Sequence, residues 1–198
     1  MAAPEEINAD MLAFWNGKGG DIWVARQEHT DITLAPVTDA LLVFAAPRAG
    51  ERVVDIGCGC GAPTLEFARA VGPSGRVAGL DISGPMLAEG ERRASAASIA
   101  NVDWRQADPA TCALDEYDLL TSAFGVMFFG DRVAAFTKPG GGVHQYAPHR
   151  RSGRTHGAQV LAFAGRKPVD GSADDRSRAA PATAAVVAAE CSRNVRLR

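Results

Sequence analysis

The hydrophobic rhythm of the chain changes near residue 50. Before that point apolar residues recur at helical spacing. Ile7, Met11, Leu12 and Trp15 do so in "INADMLAFWNG", and the glycines of "GKGG" are expected to end that segment. Ile22, Trp23 and Ala25 mark a second short amphipathic piece in "DIWVARQEHTDI". Leu34, Val37, Leu41, Leu42 and Phe44 or Ala45 form the apolar face of a longer helix in "TLAPVTDALLVFAAP", closed by Pro47. After residue 50, short β-rich runs alternate with helical ones. "ERVVDIG", "RVAGLDIS", "NVDWRQAD" and "YDLLTSAF" read as strands. "PTLEFARAVG", "GPMLAEGERRASAAS" and "DRVAAFTK" read as helices, the second with Ser83 as N-cap and Pro85 in its first turn. Gly90 inside that helix costs about 1 kcal/mol relative to Ala. The alternation predicts an α/β fold: a Rossmann-like, doubly wound, mostly parallel sheet with helices on both faces, preceded by N-terminal helices.

The rhythm is lost after "TKPGGG". "VHQYAPHRRSGRTHGAQ" has neither strand nor helix periodicity, and "RKPVDGSADDRSRAAP" has the composition of a disordered segment. Only "QVLAFAG" reads as a strand there, and "PATAAVVAAECSR" as a helix. Charge changes at the same place. Residues 1–137 carry 10 Lys+Arg against 19 Asp+Glu, and residues 138–198 carry 11 against 4. The expected organisation is therefore an N-terminal helical segment over 1–50, an α/β core over 51–137 and an atypical, poorly ordered basic tail over 138–198. The Arg, Ala, Gly, Pro, Ser and His richness of the tail is what GC-rich coding DNA gives when read off-frame. The expectation is thus a sheet incomplete at its C-terminal end, by truncation or a frame change, with the edge of the fourth strand left bare.

Other bulk features narrow the class. The formal net charge of −2 gives no general pull toward nucleic acid or anionic membrane. "MAAPEEINAD" has no basic or apolar region of a secretory signal, and no apolar run approaches a membrane span. Cys58 and Cys60 stand one residue apart, with Cys112 and Cys191 remote, which suits neither a zinc site nor a disulfide framework. They read as small thiols in a reducing cytoplasm, and no metal is expected.

The chemistry concentrates in "RVVDIGCGCGAPT". A glycine-rich turn between strand and helix, here Gly57, Gly59 and Gly61, lets a ligand approach the backbone closely. Asp55 sits at the C-terminal end of its strand, where open α/β sheets bind ligands. Asp81 ends the second strand 26 positions later and can accept both hydroxyls of a ribose; Asp108 follows the third, placed for an adenine amino group. Three successive strand ends that each carry a carboxylate describe a site for an adenosine with little or no phosphate. The run Gly57-x-Gly59-x-x-Ala62 also fits a dinucleotide fingerprint, so NAD(P)-dependent oxidoreduction is the alternative. A pyrophosphate is nonetheless disfavoured beside Asp55, whereas the sulfonium and ammonium of S-adenosylmethionine are favoured.

With "VVDIGCGCG", "VAGLDIS", "QAD" and "YDLLTSAFGVMFFGD" in order, residues 8–137 resemble a class I S-adenosylmethionine-dependent methyltransferase, of the small-molecule group that includes ubiquinone/menaquinone-biosynthesis-type enzymes. "FWNGKGGDIWVARQE" and "LAPVTDALL" resemble lid segments of that group. The resemblance implies that Asp55, Gly57, Cys58, Gly59 and Gly61 hold the methionine part of the cofactor. It further implies that Asp81 takes the ribose, that Ile82 and Met86 pack near the adenine, and that Ala107 and Asp108 close over it. Ser122 and Phe124 would flank the sulfonium, and Met127, Phe128 and Phe129 the acceptor. Trp15 and Trp23 would exclude water. The implied reaction is an in-line displacement onto a small-molecule acceptor, not a nucleic acid, with no catalytic base assigned. Structural readings stand beside these roles: Asp81 as a helix cap, Asp108 as turn chemistry before Pro109, and the tryptophans and Met127–Phe129 as core. A remnant without catalytic activity is the third functional reading.

Overall fold

The computed structural model describes residues 4–109, 112, 117–129 and 163–166, with the backbone alone for 4–8 and 163–166. Three helices lead: α1 (Pro4–Trp15), α2 (Lys18–Ala25) and α3 (Gln27–Ala45). Then follow β1 (Arg52–Ile56), α4 (Ala62–Val71), β2 (Arg76–Asp81), α5 (Gly84–Ala96), β3 (Val102–Gln106) and β4 (Leu119–Ser122). A 3-10 turn covers Gly125–Phe128, and β5 is Phe163–Arg166. The sheet order is β3-β2-β1-β4-β5. β1 pairs in parallel with β2 and β4, and β2 with β3. The expected Rossmann-like, mostly parallel sheet behind N-terminal helices is therefore present.

Strand periodicity divides the core between the two faces of this sheet. Val53, Val77 and Leu119 pack with Leu41 and Ala45 of α3 and with Phe67, Ala68 and Val71 of α4. Val54, Ile56, Leu80 and Leu120 form a second cluster with Tyr117 and Val126. The described helices α3, α4 and α5 lie on the first face. The helix expected over Asp131–Lys138, like the one expected in "PATAAVVAAECSR", falls outside the described residues.

Three expectations are refined or corrected. First, α1 ends at "GKGG" as expected, but only Gly17 of that run lies in the turn, and Lys18, Gly19 and Gly20 open the next helix. The chain turns at Asn16 and Gly17, and α2 contains Gly19 and Gly20, both buried. A Cβ on Gly20 would lie 2.2 Å from the Trp15 carbonyl oxygen, so this glycine permits close packing of α2 on the end of α1. Second, the break before the long helix falls at Arg26, and α3 runs through Pro36. The proline deprives the Ile32 carbonyl of its helical donor, and Ile32 is exposed, so water can replace it. Third, the edge of β4 is not bare. Phe163–Arg166 pairs with it antiparallel, Leu119 opposite Arg166 and Ser122 opposite Phe163. A short run from the otherwise aperiodic segment covers an edge whose backbone groups need partners.

Gly90 has a packing reason. A Cβ there would lie 2.7 Å from the Trp104 ring of β3, one on Gly79 3.2 Å from it, and one on Gly61 2.4 Å from it. Three glycines, from α5, β2 and the turn before α4, thus make the slot for one indole. We predict that Gly90→Ala lowers stability by about 1–3 kcal/mol, because overpacking against the ring outweighs the gain in helix propensity. Urea titration checks the sign; a stabilised variant contradicts the account.

Candidate functional site

A cavity of about 410 Å³ opens at the C-terminal ends of the parallel strands. Asp55, Asp81 and Asp108 all line it, contributed by β1, β2 and the segment after β3.

Asp55 is the most deeply buried of the three. Thr64 Oγ1, from the first turn of α4, donates to its Oδ2 at 2.6 Å. Thr121 Oγ1 of β4 lies 3.2 Å from Oδ1 and 3.3 Å from the Val54 carbonyl oxygen, so its proton is shared between them. One carboxylate thereby ties together β1, α4 and β4. Burial pushes its pKa up to about 6, against the pull of the two hydroxyls.

Asp81 organises the next two turns. Its Oδ2 accepts from the Gly59 N–H at 2.8 Å, and its Oδ1 from the Ser83 N–H at 2.9 Å. Burial raises its pKa, and the amides of Ser83, Gly59 and Ile82 oppose that rise. Ser83 is the N-cap of α5, its Oγ accepting from the Met86 N–H at 3.4 Å. The helix-end reading of Asp81 thus describes part of its structural work, while each oxygen keeps lone-pair capacity for a ligand donor.

The three alternate glycines of the loop face three different neighbours. Gly57 adopts φ +67°, and a Cβ there would sit 2.3 Å from the Gly125 Cα, so the loop after β1 packs backbone to backbone on the turn after β4. Gly59 faces Met86 and Trp23, whereas Gly61 backs onto Trp104 and does not line the cavity.

Of the other residues singled out in the sequence, Cys58, Ile82, Met86, Phe124, Phe128 and Phe129 line the cavity, with Trp15 and Trp23. Ala107 packs beneath the second core cluster. Ser122 is fully buried and accepts from the Val126 N–H, at 3.4 Å. Neither lines the cavity, and nor does Met127, which is exposed. Burial pushes the Cys58 thiol well up and the Cys60 thiol up to about 12, which keeps both protonated and unreactive as wall groups. Among the described residues no cluster of three or more His, Cys, Asp or Glu could hold a metal, and no helix is long and apolar enough to cross a membrane.

Sequence reasoning missed the polar groups that dock the N-terminal helices. Asn16 Nδ2 donates to the Ile82 carbonyl at 2.8 Å, and its Oδ1 accepts from the Gly84 N–H at 3.0 Å and from Gln106 Nε2 at 3.1 Å. Ser83 Oγ donates to the Trp15 carbonyl at 2.6 Å. The start of α3 is held by Gln27, Asp31 and Arg93: Asp31 accepts from Gln27 and pairs with Arg93, and Arg93 Nη1 donates to the Cys60 carbonyl at 2.7 Å. No motif marks these residues. Their partners are 62 to 90 positions away in the chain, apart from those within α3 and the Arg93–Cys60 bond.

Because the folded pKa of Asp55 exceeds its unfolded value of 3.8, its protonated form favours the fold. That contribution, about 3 kcal/mol, is complete below pH 4 and is lost as pH rises through about 6. Asparagine can still accept from one threonine and donate to the other. Asp55→Asn is therefore expected to gain several degrees in Tm relative to the native chain between pH 4.5 and pH 7.5. Thermal melts at the two pH values check it, and a constant difference contradicts it.

Comparison with known proteins agrees with this geometry. Residues 53–141 match the family described as methyltransferase domain. Over 105 residues the chain is 33% identical to aklanonic acid methyltransferase DauC of Streptomyces sp. (strain C5), covering 52% of this chain and 48% of that protein. Over 102 residues it is 35% identical to demethylmenaquinone methyltransferase of Staphylococcus carnosus (strain TM300), covering 48% of this chain and 42% of that protein. The solved structure of Haemonchus contortus phosphoethanolamine N-methyltransferase 1, in complex with phosphoethanolamine and S-adenosylhomocysteine, aligns with a TM-score of 0.51 at 20% identity. It covers 65% of this chain and 28% of that one, a likeness of fold. The matched part of the chain spans less than half the length of these relatives. Over residues 53–141 the chain is thus similar to the methyltransferase-domain family.

Proposed function

We propose that the chain binds S-adenosylmethionine in this cavity and transfers its methyl group to a small, partly hydrophobic acceptor. The observation that carries the reading is the charge of the lining. Asp31, Asp55, Asp81 and Asp108 contribute to it, and among the described residues no Lys, Arg or His does. S-adenosylmethionine carries a sulfonium and an ammonium against one carboxylate, so it enters with net positive charge. A dinucleotide would bring a pyrophosphate against these carboxylates with no cation to offset it. The lining therefore weighs against the nicotinamide reading, whose only support is the glycine spacing.

In this proposal the loop carrying Gly57 and Gly59, with Asp55 beneath it, holds the methionine part. Asp81 takes the ribose diol, Ile82 and Met86 contact the adenine, and Asp108 accepts from its amino group. The cofactor, when bound, supplies a methyl group already activated by positive sulfur. The chain's part is alignment and exclusion of water. Trp15, Trp23, Phe124 and Phe128 supply the apolar wall, and Trp15 stacks edge-on against Trp23 at 6.0 Å and Phe128 at 5.2 Å. That wall supports an acceptor with apolar surface, as do relatives named for aklanonic acid and demethylmenaquinone.

Isothermal calorimetry with S-adenosylhomocysteine and with NAD tests the reading. Saturable heat is expected with the first alone. Asp81→Ala is expected to weaken that binding by at least about tenfold, through loss of hydrogen bonds to a charged group. Binding of NAD with equal strength, or of neither ligand, refutes the cofactor assignment. Transfer of labelled methyl to a panel of small phenolic, quinol and carboxylic acceptors then separates an enzyme from a binding remnant.

A further inference from the structure

We infer that Gln27 is an additional cofactor-binding residue, whose carboxamide oxygen receives the ammonium group of the amino-acid moiety; the inference rests on the S-adenosylmethionine reading above. Gln27 opens α3, is 7% exposed and lines the cavity. Its two polar ends have different fates. Nε2 donates to Asp31 Oδ1, while Asp31 Oδ2 pairs with Arg93. A carboxylate paired with a guanidinium offers acceptors only. Gln27 must therefore turn its NH2 toward Asp31, because the flipped amide would set a carbonyl oxygen against a carboxylate. That orientation leaves Oε1 as an acceptor, buried and without a hydrogen-bond partner. Buried carbonyl groups are almost always satisfied. Because Gln27 lines the cavity, a small shift of its side chain brings this oxygen within reach of a donor on a bound molecule.

The identity of that donor follows from where Gln27 is anchored. Asp31 and Arg93 tie the start of α3 to the Cys60 carbonyl, at the end of the glycine loop. Asp81 and Asp108 follow the next two strands, on β2 and after β3. A nucleoside gripped by those carboxylates leaves its amino-acid end at the β1 loop. A sulfonium has no proton to give, and a carboxylate end would meet an acceptor next to Asp31. The ammonium group donates to a neutral oxygen and is favoured by a neighbouring carboxylate.

The test compares S-adenosylhomocysteine with 5′-methylthioadenosine, which lacks the amino-acid end, by calorimetry on the full chain. Gln27→Met keeps length and helix propensity but removes the oxygen. It is expected to weaken S-adenosylhomocysteine by about tenfold or more and to leave 5′-methylthioadenosine within about twofold. Equal effects on both ligands, or no effect on either, overturn the assignment of Gln27 while leaving the cofactor reading intact. If the native chain binds neither ligand, the cofactor reading itself fails and this assignment falls with it. If Gln27→Met does not fold, the native chain is titrated with the analogue of S-adenosylhomocysteine that lacks the amino group. An affinity about tenfold weaker supports the inference, and an affinity equal to the parent's overturns it.

Discussion

A carboxylate withdrawn from water holds the site together. Asp55 stands at the end of the central strand, and its two oxygens meet hydroxyls from α4 and β4. Burying a carboxyl group is costly unless its hydrogen bonds are made, and here they can be made only when three elements converge. The same convergence brings the loop after β1 against the turn after β4, where Gly57 and Gly125 touch through their backbones. The position and shape of the cavity follow from this contact. The raised pKa of Asp55 is the electrostatic trace of its burial.

Asp81 extends that frame one strand outward by a different means. Its partners are backbone amides, so it fixes the course of the glycine loop and the start of α5 together. The N-terminal helices then dock on this second frame. Asn16 bonds the chain on both sides of Ser83, and Ser83 bonds back to the end of α1. A change in the Asp81 turn is therefore felt by the helices that wall the cavity, and the reverse also holds. Covering helices and ligand loop form one hydrogen-bonded unit.

The glycines illustrate why one residue type does not have one meaning. Gly57 and Gly59 keep backbone near the cavity free of side chains. Gly61, Gly79 and Gly90 instead give space to Trp104 on the first face of the sheet. The cost of Gly90 in a helix, puzzling from propensity alone, is the consequence of housing a large ring where α5 crosses β3.

The sequence alone determined the alternating strands and helices, because side-chain periodicity is a local property that survives without any partner. It also determined that Asp55, Asp81 and Asp108 reach one edge, since parallel βαβ units place every strand end on the same side. What it could not determine were contacts between distant segments. "GKGG" looked like a helix stop because chain flexibility is visible locally, whereas the closeness of Gly20 to the Trp15 carbonyl is not. Ala107 and Ser122 hold the place of ligand contacts in the motifs, and only the tertiary structure shows that the first packs against the second core cluster and the second bonds the Val126 N–H. Asn16, Gln27 and Arg93 carry no signature in one dimension. Their hydrogen bonds exist only once helices from the start of the chain lie across strand ends from its middle, so the fold itself decided their role.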